Sequence, residues 1–153
     1  MEISSNVFAI TGGGQGLGRA MALNLAADGA RLALIDLNED KLAEAVMLCQ
    51  QAGAEARSYV CDITDEHAVE SVFQQIKVDF GELNGLINNA GLMRDGMLIK
   101  VKDGQLVGKM SQQQWQSVID VNLTGTFLCG REAAAIMATQ PHTKEKGGVI
   151  INI

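Results

Sequence analysis

The sequence predicts an α/β protein built on a doubly wound parallel sheet, and three observations carry that prediction. Strand-like apolar runs begin near Val7, Arg31 and Glu55, each 24 residues after the last, and a helical pattern follows each one. The three helical patterns stop at Gly29, Gly53 and Gly81, the residue type that best tolerates the left-handed conformation just past a helix end. The run Leu32-Ala33-Leu34-Ile35 is apolar without alternation, as expected of a strand covered on both faces. Strands alternating with helices of this length form βαβ units, whose crossovers are right-handed.

The first strand, Val7-Phe8-Ala9-Ile10, feeds Thr11-Gly12-Gly13-Gly14-Gln15-Gly16-Leu17-Gly18, and Leu17, Met21 and Leu25 then recur at helical spacing. The third helix has Thr64 as its expected N-cap, with Val69, Phe73, Ile76 and Phe80 as one apolar stripe. A fourth strand, Leu86-Ile87, runs into Asn88-Asn89-Ala90-Gly91. Residues 97–109 break the rhythm. Asp103-Gly104 between alternating residues signals a type I′ hairpin, with Val101 and Leu106 on one side. Ser111-Gln112-Gln113-Gln114 has capping-box spacing and opens a helix. Trp115, Ile119 and Asn122 follow at i, i+4 and i+7, which predicts that Asn122 lies on a buried stripe. Residues 141–147 read as a polar loop before a fifth strand of the series, Gly148 to Ile153.

Composition bounds the function. With 153 residues, 47% apolar and 20% charged, the chain is one globular domain's worth. A net charge of −6 argues against nucleic acid or an anionic membrane as partner. No signal-peptide pattern or bilayer-length apolar run is present, and a cytoplasmic location is expected. Cys49, Cys61 and Cys129 lie beside apolar neighbours and read as buried reduced thiols. With no Cys-x-x-Cys, and only His67 and His142 as histidines, no metal site is expected.

The glycine-rich turn carries the chemistry. Glycine permits a tight turn and lets a ligand approach bare backbone, and the following helix aims free N–H groups at an anion. The implied ligand is a phosphate or pyrophosphate. Asp36 ends the second strand 18 residues beyond Gly18, where a carboxylate can accept hydrogen bonds from ribose hydroxyls. Its alternative role is to begin the turn Asp36-Leu37-Asn38 and help cap the next helix. Asp62 ends the third strand at the matching level, as an adenine neighbour or a solvated loop carboxylate. Strand ends carrying small and polar residues on the C-terminal edge are where open α/β sheets bind ligands.

Thr11-Gly12-x-x-x-Gly16-x-Gly18, Asp62, Asn88-Asn89-Ala90-Gly91 and Val121-Asn122-Leu123 resemble the short-chain dehydrogenase/reductase family. Arg94-Asp95 followed by Trp115 and Asn122 is similar to its β-ketoacyl-acyl-carrier-protein reductase type, with the hairpin added. The resemblance implies a Rossmann-type sheet of order 3-2-1-4-5, counting only strands of the βαβ series. It implies that Gly12, Gln15, Gly16, Leu17 and Gly18 cradle a pyrophosphate and that Asp36 holds the adenosine ribose. Asp62 and Ile63 would then adjoin the adenine, and Asn89, Ala90 and Gly91 the nicotinamide side. The expected cofactor is NAD rather than NADP, since no cation stands at Gln15, Leu37 or Asn38. The expected substrate is a small alcohol or ketone, free or acyl-linked.

The family also uses a serine after the fifth strand, a tyrosine with a lysine four residues later, and an asparagine that positions a water. Of these only Asn122 is present. The sole tyrosine is Tyr59, with Ile63 four residues on, and Ile153 stands about where the serine should follow. The chain therefore reads as a dinucleotide-binding domain, residues 1–153, incomplete at its C-terminus and inactive alone. A non-catalytic nucleotide-binding module and an S-adenosylmethionine methyltransferase are the competing readings. Self-association is expected through the apolar last strand and residues 111–138.

Overall fold

A computed structural model describes residues 2–141 and 148–153. Five parallel strands form the main sheet: β1 Val7–Thr11, β2 Arg31–Asp36, β3 Ala56–Val60, β4 Gly85–Asn88 and β7 Val149–Asn152. Their order is β3-β2-β1-β4-β7, the predicted 3-2-1-4-5 order of the βαβ series. A separate antiparallel hairpin, β5 Ile99–Lys102 and β6 Gln105–Lys109, accounts for the remaining two strands. The helices are α1 Gly16–Ala27, α2 Glu39–Gln51, α3 Glu66–Phe80, α4 Gln112–Ile119 and α5 Thr126–Thr139. A π-helical turn, Asp120–Gly125, joins α4 to α5.

Alternate residues of β1 and β2 point into two cores, as double winding requires. Phe8, Ile10, Leu32 and Leu34 pack with Ala22, Leu42 and Cys49 of α1 and α2. Val7, Ala9, Ala33 and Ile35 pack with Phe73, Ile76, Leu128 and Ile136 of α3 and α5. The predicted stripe Val69, Phe73, Ile76 and Phe80 is buried throughout. Helix α1 differs from expectation, because Gly18, Ala22 and Ala26 are its buried residues and Leu17 is 57% exposed. Small residues win the sheet-facing side because α1 lies close to it. A Cβ on Gly18 would overlap the carbonyl of Gly12.

Gly29, Gly53 and Gly81 all take positive φ behind their helices. The N-cap of α3 is Asp65 rather than Thr64: its carboxylate accepts from the N–H groups of His67 and Ala68, at 3.0 and 3.1 Å. Thr64 is drawn instead to Asp62, whose Oδ1 accepts from its N–H and hydroxyl at 2.9 and 2.7 Å. The hairpin turn has positive φ at Asp103 and Gly104, and Val101 pairs with Leu106. Ser111 and Gln114 form the predicted capping box. Cys49, Cys61 and Cys129 are buried free thiols. Of the predicted polar loop, residues 142–147, including His142, lie outside the described residues.

Two buried amides, Asn84 and Gln140, act as surrogate backbone, and a third, Asn88, links two strands. Asn84 accepts from Val7 N at 2.8 Å, ahead of β4. Gln140, just past α5, accepts from Leu83 N at 3.0 Å and donates to Leu83 O at 2.9 Å. Asn88 donates to Asn152 Oδ1 at 2.9 Å, tying β4 to β7. A buried amide left unpaired costs about 1–3 kcal/mol, so such pairing fixes where each element ends.

Candidate nucleotide site at the switch point

The sheet's strand order reverses between β1 and β4, and a crevice opens there beyond the C-terminal strand ends. A cleft of about 210 Å³ runs across this edge, walled by Gly12 from β1, Asp36 from β2, Asp62 and Ile63 after β3, and Ala90 and Gly91 after β4. No lysine or arginine lines it.

Glycine is required on the β1–α1 side. Gly12 has φ +65°, and a Cβ there would meet Ala90 Cα and Asn89 Nδ2 at 3.0 Å. Gly16 has φ +54° and open space beside it. Gln15 is the N-cap of α1, but its side chain makes no capping bond, and no acidic residue lies in the first turn. By contrast, side chains of Asn38, Asp65 and Ser111 cap α2, α3 and α4. The leading N–H groups of α1 are therefore left for a partner from outside the helix.

Asp36 fulfils its turn role and keeps capacity beyond it. Its Oδ2 accepts from Gly14 N and its Oδ1 from Asn38 N, both at 3.1 Å. A carboxylate offers roughly four acceptor positions, so about two remain. Asn38 then caps α2 through Lys41 N at 2.9 Å. Lys41 also packs near the turn, since a Cβ on Gly14 would meet Lys41 Cβ at 3.1 Å. Glu44 engages that cation at 3.7 Å, together with Arg19 at 3.0 Å. Sequence spacing from the glycines does not reveal this cation, because it arrives through the packing of α2 on the turn.

Thr11, buried at the end of β1, joins the two sides of the crevice. Its hydroxyl accepts from Asn89 N at 3.1 Å and Ala90 N at 3.0 Å. Asn89 Nδ2 returns bonds to Thr11 O at 3.1 Å and Gly12 O at 3.3 Å. The glycine turn and the segment after β4 are thereby one rigid unit. A polar residue ending an otherwise apolar strand was the sequence signal for Thr11.

Asn122 stands at the far end of the cleft but is exposed, not buried as its spacing predicts. The i+7 extrapolation fails because the helix widens into the π-helical turn at Asp120, and α4 buries no residue. Its amide is engaged at both its oxygen and its nitrogen all the same. Oδ1 accepts from Leu92 N at 2.7 Å and Nδ2 donates to Leu92 O at 3.0 Å. Asn122 thus holds the backbone just beyond Gly91. Ile63 also differs from a simple ligand wall: it is 8% exposed and fills the space beside Gly125, where a Cβ would lie 2.7 Å from its side chain. Tyr59 lies apart from the cleft residues. It donates to Asp79 at 2.8 Å, and burial with that carboxylate pushes its pKa well above the ordinary phenol value.

Sheet, crevice and glycine turn together define a doubly wound α/β protein of Rossmann type, and comparison with known proteins narrows the class. The family model described as short chain dehydrogenase matches residues 6–153, and the chain belongs to that family. It is 32% identical over 152 residues to a 3beta-hydroxysteroid dehydrogenase of Mediterraneibacter gnavus, covering 99% of this chain and 50% of that protein. It is also 32% identical over 153 residues to the 3-oxoacyl-(acyl-carrier-protein) reductase FabG of Escherichia coli (strain K12), covering 100% of this chain and 56% of that one. Among solved structures, NAD+-bound xylitol dehydrogenase superposes with a TM-score of 0.82 at 34% identity, over 99% of this chain and 54% of that chain. Levodione reductase gives 0.79 at 31% identity, over 97% and 54%. The chain spans about half the length of the relatives it matches. No helix among the described residues is long and apolar enough to cross a membrane.

Proposed function

We propose that residues 1–153 are the dinucleotide-binding domain, incomplete at its C-terminal end, of an oxidoreductase that acts on a hydroxyl or keto carbon. The observation that carries this reading is the uncapped N-terminus of α1 beside a crevice walled by four consecutive strand ends. The cradle fits a dinucleotide: glycines stand where a Cβ would collide, and an acidic residue keeps free acceptor positions. Gly12, Gln15, Gly16, Leu17 and Gly18 would bind the pyrophosphate through backbone N–H groups. Asp36 would take the ribose, Asp62 and Ile63 the adenine, and Asn89, Ala90 and Gly91 the nicotinamide side. When bound, the nicotinamide supplies a hydride acceptor or donor. Asn122 holds the cleft backbone at Leu92 and is the one family catalytic residue in the chain. Without serine and a tyrosine–lysine pair, the 153-residue chain has no turnover of its own. The proposed setting is cytoplasmic, in a homo-oligomer, with a small alcohol or ketone, free or acyl-linked, as substrate.

NAD is the proposed cofactor. Ribose hydroxyls donating to Asp36 contribute about 1.5–3 kcal/mol. A 2′-phosphate would face that carboxylate, and like charges at ~4 Å repel by roughly 4 kcal/mol at an effective dielectric near 20. Lys41 does not offset this, because Glu44 holds it. The test is calorimetric titration of NAD and NADP into wild type and Asp36→Ala. NAD should bind at least tenfold more tightly to wild type, and the preference should collapse in the variant. Equal affinities in wild type would remove the role assigned to Asp36, and no binding of either would remove the nucleotide reading.

A further inference from the structure

We propose a second ligand site, separate from the switch-point cleft: the cavity at the base of the hairpin takes an amphiphilic anion, a carboxylate or phosphate on an apolar tail. This cavity, of about 330 Å³, is lined by Gly96, Met97, Lys100, Gly108, Lys109, Met110 and Gln114. Its two charged groups are both cations, Lys100 and Lys109, one from each strand.

Charge pairing elsewhere makes this notable. Among the described residues, Arg19, Arg31, Lys41, Arg57 and Arg131 all lie within ion-pair distance of a carboxylate. Arg94, Lys100, Lys102 and Lys109 have no such partner, and Lys77 is the one comparable cation outside the segment 94–109. In a chain of net charge −6, residues 97–109 carry three lysines against one aspartate. Lys100 pairs with Gly108 and Lys109 with Ile99, so the two lysines stand one register position apart across the strands. Both lysines line the cavity, and an anion bound there is attracted to each.

The remaining walls suit the tail. Met97 and Met110 are adaptable apolar surfaces. Gly96 leaves room beside Met110, since a Cβ there would lie 3.0 Å from Met110 Cε. Gln114 brings in the first turn of α4, whose positive dipole end adds to the cationic field. The net negative charge of the whole chain opposes an anionic membrane surface, whereas a single small amphiphile meets only the local field.

The probes are decanoate, decyl phosphate and decanol, titrated into the full chain by calorimetry. Decanoate or decyl phosphate should bind, and whichever binds more tightly identifies the headgroup. Decanol should bind at least tenfold more weakly than either. K100Q/K109Q should weaken the anion at least tenfold while leaving melting temperature and NAD affinity unchanged. G96V, which fills the cavity and keeps both lysines, should also weaken it. Decanol binding as tightly as decanoate, full affinity in K100Q/K109Q, or no binding of either anion overturns the site. NAD affinity, read on the same samples, reports on the switch-point cleft independently.

Discussion

The βαβ half of the molecule and the segment from Met97 to Ile119 are held together in opposite ways. In the first, all five residues of β1 and four of six in β2 are buried, and helices cover both faces. In the second, neither β5 nor α4 contains a buried residue, and Trp115 is 60% exposed. Yet the hairpin turn and the helix start are as regular as anything in the core. Positive φ at Asp103 and Gly104 closes the turn, and the Ser111–Gln114 box closes the helix end. Local turn and cap chemistry is thus sufficient to define conformation, while stability resides in the two cores.

The sharpest way to break this contrast is to truncate one aromatic from each region. Phe73, fully enclosed between β-sheet and α5, should cost about 3–5 kcal/mol as Phe73→Ala, by urea unfolding. Trp115→Ala should cost about 0.5 kcal/mol or less. Equal losses would mean that α4 is part of the cooperative core.

A smaller effect comes from pH. Burial pushes the Cys61 thiol up to about 11 and the Cys129 thiol up to about 12, from an ordinary value of 9.0. Above that ordinary value the unfolded chain releases these protons while the folded chain retains them. Stability is therefore fully present below about pH 9 and declines as pH rises toward 11 to 12. Near pH 10 the loss should be ~1 kcal/mol per thiol, checked by chemical unfolding at about pH 8 and pH 10. A flat profile would show that these thiols are not buried. The smallest effect belongs to the hairpin: replacing Lys100–Val107 with a short Gly/Ser link should leave the melting temperature nearly unchanged, by calorimetry.

The same contrast explains what could be read from the chain. Strand order, helix-ending glycines, the Phe73 stripe, the type I′ turn and the capping box were legible because each rests on periodicity or on a few adjacent residues. Three placements differ because a near neighbour intervenes. Leu17 was outcompeted for the sheet by Gly18, because the Gly12 carbonyl leaves no room for a side chain. Asn122 is exposed because α4 buries no residue, so the stripe it extends is itself not buried, and a turn of different pitch follows at Asp120. Asp65 displaced Thr64 as a cap because Asp62 captures Thr64 first. In the candidate site, the glycine turn and Asp36 announced themselves by spacing. The Thr11 clip, the Asn122 hold on Leu92 and the approach of Lys41 depend on partners from 30 to 79 positions away or on helix packing, which spacing cannot convey.

The π-helical turn at Asp120–Gly125 has a geometric consequence for the helix it interrupts. Each residue of an α-helix turns the chain by 100°, so one residue more or less between two rigid segments rotates one against the other by that angle. Deleting a single residue from the turn would let α4 and α5 merge into one regular helix. With α5 fixed by Leu128, Cys129 and Met137, the rotation would fall entirely on Trp115, Ile119 and the residues before them. The wide turn acts as a phase shifter: it sets the azimuth of the exposed half of the helix, and with it the Asn122 amide, independently of the half anchored in the core.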